Sequence, residues 1–116
     1  MQAKHYPAAS LLLAGVLAAT SFAAQAGEAT IVWSRAKCEM VLVEKPDGEF
    51  GVVLQLSDGR VEIGDRLEGD FESINQIRNI KNLASGEEIM MRGVRYSTSR
   101  KYVLQSMPKW CKAPKE

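Results

Sequence analysis

The sequence has little of what catalysis usually draws on. Its one histidine is His5, so nothing beyond the first few residues carries an imidazole to act as a base near neutral pH. It has two cysteines, with no CxxC spacing, which removes support for a thioredoxin-like redox role. Zinc would need His or free Cys ligands, and neither is expected here. No apolar run after residue 26 approaches the ~20 residues of a spanning helix. There is no internal repeat and no low-complexity tract.

What is present begins with residues 1–26, which read as a cleavable export signal. Lys4 supplies a short charged region, Leu11 to Ala19 an apolar run, and Ala24-Gln25-Ala26 a small-x-small cleavage pattern. A membrane anchor is the competing reading, but the apolar run is too short for one. Cleavage would leave Gly27 first, and because that residue is not Cys, no lipid attachment is expected there. Residues 27–116 then suffice for one domain with a modest core, periplasmic or secreted, with no membrane span after signal removal.

In an exported chain an even cysteine count reads as a disulfide, here Cys38 to Cys111. Closing so long a loop removes roughly 4 to 4.5 kcal/mol of denatured-state entropy on the chain-entropy model. For a domain of this size that is a large share of net stability.

Between Cys38 and Ile63 lie three apolar-rich β runs and two turn signals. Cys38, Met40 and Leu42 alternate with Val41 and Val43, the pattern of a strand covered on both faces. Phe50, Val52, Leu54 and Leu56 form one apolar face of the next. Lys45-Pro46-Asp47-Gly48-Glu49 predicts a hairpin with a one-residue bulge, and Asp58-Gly59 a two-residue primed turn. Together they predict a three-stranded antiparallel meander. Ahead of it, Thr30 to Trp33 is a short β-prone run.

Residues 71–83 admit two readings. Phe71, Ile74, Ile77, Ile80 and Leu83 recur every three positions, a stripe that would wind around a helix. The alternative is a strand from Gln76 to Leu83 that turns at Ser85-Gly86 into the β-like run ending at Tyr96, and the turn favours it. Ser97, Thr98 and Ser99 offer N-caps for a short helix that Pro108 stops, and Trp110 is expected to cover the edge of the core. The sum is a mainly β domain, a small, strongly curved antiparallel barrel of five to six strands with a short C-terminal helix. In strand count and spacing it resembles an OB-like or SH3-like barrel.

Charge is balanced overall once Lys4 is removed, yet unevenly spread. Cys38 to Glu72 holds ten acids against three bases, and Arg92 to the end seven bases against Glu116. Either the two halves neutralise each other across the fold, or a basic face is left to recruit an anionic partner. The second alternative assigns binding to Arg92, Arg95, Tyr96, Arg100 and Lys101, with an envelope protein or an anionic glycan as the expected partner. Export and charge balance argue against nucleic acid.

Other constellations are weaker. Ser97 and Ser99 with Lys101 suggest a serine-lysine pair, but such a lysine must be buried to lose its proton. Asp65, Glu68, Asp70 and Glu72 read as a solvated acidic loop; a glycosidase pair or a Ca²⁺ site is the lesser alternative. Met40, Met90, Met91 and Met107 read as core filling rather than copper ligands. The expectation is a small binding module without catalysis, metal or cofactor. A second expectation is a periplasmic inhibitor of a hydrolase such as lysozyme, with Tyr96 to Lys101 entering the target's site. Lysozyme inhibitors are small exported β-barrels with serine-rich loops that this segment resembles, although it lacks their Ser-Gly element.

Overall fold

The computed structural model describes residues 27–114, so the expected export signal lies outside the described residues. Six strands form: β1 Gly27–Trp33, β2 Met40–Glu44, β3 Phe50–Gln55, β4 Arg66–Gly69, β5 Ile77–Asn82 and β6 Glu88–Ser97. A short helix, α1 (Arg100–Leu104), and a 3₁₀ turn, Lys109–Cys111, follow. The strands run β1-β2-β3-β6-β5-β4 around a closed barrel in which every neighbouring pair is antiparallel and β4 returns to β1. Closure leaves each strand with two neighbours and no free sheet edge to template another chain. Among the described residues no helix is long and apolar enough to cross a membrane.

The β2–β3 hairpin forms as its sequence predicts. Gly48 takes φ +90°, its N–H donates to Lys45 O, and the Lys45 N–H donates to Glu49 O, which sets Glu44 opposite Phe50. The expected third strand of the meander does not form. Residues 60–63 are irregular, and Gly59 is not in the left-handed region that a primed turn needs. The reason is competition for an edge: β6 occupies the far side of β3, pairing Phe50 with Ser97 through to Gln55 with Met91. Gln55 then ties the loop down, its Nε2 donating to Ser57 O and Gly59 O.

The strand reading of residues 76–83 holds, as β5, and the turn at Gly86 (φ +79°) returns it to β6. A repeat of three on a lattice of period two sends its members to opposite faces. Ile80 is accordingly buried inside the barrel while Ile77 stands 57 % exposed outside it. Asn82 anchors the same hairpin: it is fully buried, with Nδ2 donating to Arg60 O and Asp65 Oδ2 and Oδ1 accepting from Ala84 N–H. All of its polar groups on the side chain therefore have partners.

Two apolar clusters share β2 and β3. Ala29, Ile31, Val41, Val43, Val53, Leu67, Phe71, Ile80, Ile89 and Met91 fill the barrel. Leu42, Val52, Val103, Met107 and the two cysteines form a second cluster outside it, beneath α1. The apolar face read in β3 thus serves this outer cluster through Phe50 and Val52, and the barrel takes Val53. Cys38 and Cys111 are joined, with Cα atoms 5.2 Å apart, so the chain's end is bound to the start of β2. Trp110 does not cover the core but is 63 % exposed. In a 3₁₀ turn successive side chains diverge by a third of a circle, so turning Cys111 inward to its disulfide turns Trp110 away.

Candidate functional site

The face that carries the expected binding residues is shaped by a bulge. Gly93 pairs with Val53 and Arg95 with Val52, leaving Val94 as an extra residue in β6. Ile89 and Met91 face the barrel before it, and Tyr96 packs on the barrel cluster after it, whereas Val94 packs on the outer cluster. The consequence is that Arg92 and Arg95, three apart, both face outward. On an unbroken strand they would point to opposite sides.

From this face the basic side chains continue onto α1. The Arg95 guanidinium lies 4.4 Å from the centroid of the Tyr102 ring and Arg100 lies 5.9 Å from that of Phe50. Lys101 is exposed. Around the far side of α1 runs a groove of about 800 Å³ with Leu104, Met107 and Ala113 along it and Lys101, Lys109 and Lys112 at its sides. Sequence alone does not mark Lys109 and Lys112 as part of the basic face. Pro108 separates them from the helix, and the disulfide together with the packing of Met107 and Cys111 in the outer cluster holds them beside Lys101.

The described ion pairs join Lys45 to Glu49 and Glu72, Arg60 to Glu62, Arg66 to Glu28 and Arg78 to Asp70. Among the described residues no carboxylate stands within 4.0 Å of Arg92, Arg95, Lys101, Lys109 or Lys112. The Nε of Arg92 is buried and has no hydrogen-bond partner among the described residues.

Tyr96 belongs to a different constellation, at one end of the barrel. Its ring lies across Gly51, and its hydroxyl reaches Gly93. Lys45, only 7 % exposed, stands 5.4 Å from the ring centroid and donates to Glu49 Oε1 and Glu72 Oε1 at 2.7 Å each. Burial, followed by the negative charge of Asp70, pushes the Tyr96 phenol up to about 12, against the opposing influence of Lys45. For Lys45 burial disfavours the charge, but the hydrogen bonds it donates to Glu49 and Glu72 outweigh it and the ammonium is held above its ordinary range. Asp70 accepts from Glu72 N–H, from Arg78 Nε and from the Ser73 hydroxyl, which holds its carboxyl well below the usual carboxylate range. These groups brace one another at this end of the barrel.

The remaining candidates are also occupied in structure. Ser99 caps α1, its Oγ accepting from Tyr102 N–H, and Ser97 Oγ accepts from Ser99 N–H. The segment Tyr96 to Lys101 is therefore the link from β6 into α1. Asp65 Oδ2 accepts from Glu62 N–H and from Asn82, and Glu68 sits on β4 opposite Glu28. Met91 and Met107 are core residues, whereas Met90 is 43 % exposed. Among the described residues no group of three or more His, Cys, Asp or Glu could hold a metal ion. Compared with known protein families, curated proteins and solved structures, the chain shows no significant match.

Proposed function

We infer that the protein is an exported binding module without catalysis of its own, and that it docks an acidic partner of the cell envelope through its C-terminal basic side. The observation that carries this reading is the separation of charge. Arg92, Arg95, Lys101, Lys109 and Lys112 have no described carboxylate within 4.0 Å, while the described ion pairs join residues of the N-terminal and central segments. Barrel closure supports docking by side chains, because no sheet edge is open for strand addition.

Magnitudes limit what charge can do here. An exposed ion pair contributes roughly 0.2–1 kcal/mol, so five together give about 1–5 kcal/mol, which on its own corresponds to a Kd of about 0.2 mM at best. Charge steers the encounter and sets its salt dependence. A specific complex also needs apolar surface.

The test is a calorimetric titration of the purified protein with poly-glutamate at low and high ionic strength. Binding is expected at low salt, weakening as salt rises and reduced on the order of tenfold in the Arg95→Glu/Lys101→Glu variant. No heat at low salt, or binding indifferent to the charge reversal, overturns the reading.

A further inference from the structure

The outer surface of β3, β6 and β5 is covered by α1 over only part of its area. Val52 and Val94 lie under the helix. Beyond them the register sets Arg92 between Leu54 of β3 and Ile77 of β5, and paired residues share a face. One row further, Met90 is the residue whose carbonyl accepts from Leu56 N–H. Leu56 is 40 % exposed, Met90 43 % and Ile77 57 %. An arginine thus stands in the middle of an exposed apolar patch on rigid strands.

We propose that this patch is the seat of an acidic protein segment, whose apolar side chains cover Leu54, Leu56, Ile77 and Met90 and whose carboxylate joins the Arg92 guanidinium. The proposal rests on the binding reading above and names the partner's class. Charge complementarity selects the occupant: the patch centres on a cation without a described counter-ion, and Arg95 lies next along the same face. Arginine and methionine at the centre of an apolar patch are what protein interfaces are enriched in. A polyanionic glycan would answer the charge but leave the leucine, isoleucine and methionine surface wet. An acidic protein segment answers both, with the arginine fork matched to a carboxylate.

Fluorescence anisotropy with three labelled peptides of equal length tests this: alternating Glu and Leu, alternating Glu and Ser, and alternating Lys and Leu. The Glu/Leu peptide is expected to bind on the order of tenfold more tightly than Glu/Ser, with Lys/Leu binding weakest. Ile77→Ser/Met90→Ser, at exposed positions the fold does not need, is expected to abolish the preference for Glu/Leu. Arg92→Gln is expected to weaken Glu/Leu on the order of tenfold. Equal binding of the two acidic peptides, lost in Arg95→Glu/Lys101→Glu, overturns the patch as the seat and leaves the basic-side reading standing. Absence of binding by both acidic peptides overturns both. Lys/Leu binding as tightly as Glu/Leu overturns the role of charge at Arg92. Sedimentation showing a dimer that Ile77→Ser/Met90→Ser dissociates assigns the patch to a second copy of the chain, and overturns the proposal equally.

Discussion

Tyr96 lies flat across Gly51 of the neighbouring strand, with two of its ring carbons 2.5 Å from the place a Cβ on that glycine would occupy. The aromatic covers a gap that only glycine leaves, and so closes one end of the barrel. The same ring needs Gly93, where an added Cβ would meet Ser73 O at 2.4 Å and the Tyr96 hydroxyl at 2.7 Å.

Gly51→Ala is therefore expected to destabilise the protein by about 1–3 kcal/mol, the usual range for overpacking. In a Tyr96→Ala background the same substitution is expected to cost much less, because the clashing ring is gone. Urea unfolding of the four proteins of this cycle gives the coupling directly.

The disulfide gives a second expectation. Cys38→Ser/Cys111→Ser removes a link across 73 positions and is expected to lower stability by about 4 kcal/mol on the loop-entropy model. Both cysteines sit in the outer cluster beside Leu42, Val103 and Met107, so α1 and the groove should loosen first. Denaturant midpoints with and without reductant, alongside hydrogen exchange of the Val103 amide, check both parts.

Acid should act through Asp70. Its folded-state pKa lies below the unfolded value, held there by the Glu72 N–H, then Arg78, then Ser73. The stability it contributes is present above the unfolded pKa, near 3.9, and is lost as pH falls below about 4 toward the lower folded value. In Asp70→Asn stability at pH 7 is expected to be lower and its fall between pH 4 and 2 shallower than in the parent. Urea midpoints measured across that range decide it, and an unchanged slope would contradict the assignment.

Local chemistry made the barrel and its disulfide legible in the sequence. Pro46-Asp47-Gly48 dictates a turn that no tertiary contact has to enforce, and the alternation around Leu42 states that β2 has two covered faces. What the sequence obscured were competitions between distant segments. Asp58-Gly59 is a good hairpin signal, but a strand thirty residues on takes the edge of β3. Arg92 and Arg95 were found from charge alone, yet their common face depends on the Val94 bulge, for which Gly93 is the only local hint. Tyr96 is their neighbour in sequence, and that bulge turns it inward to Lys45. Ile77 belongs to an apolar series, and its exposure follows only from the segment being a strand.

The most direct test of the binding account is amide chemical-shift mapping of the isotopically labelled protein during titration with an acidic peptide. The account predicts perturbations centred on Arg92, Arg95, α1 and the Lys109–Lys112 segment and extending to Leu54, Leu56, Ile77 and Met90 around Arg92, reversed by added salt. Perturbations centred instead on the acidic residues 58–72, or none at saturating peptide, would contradict it.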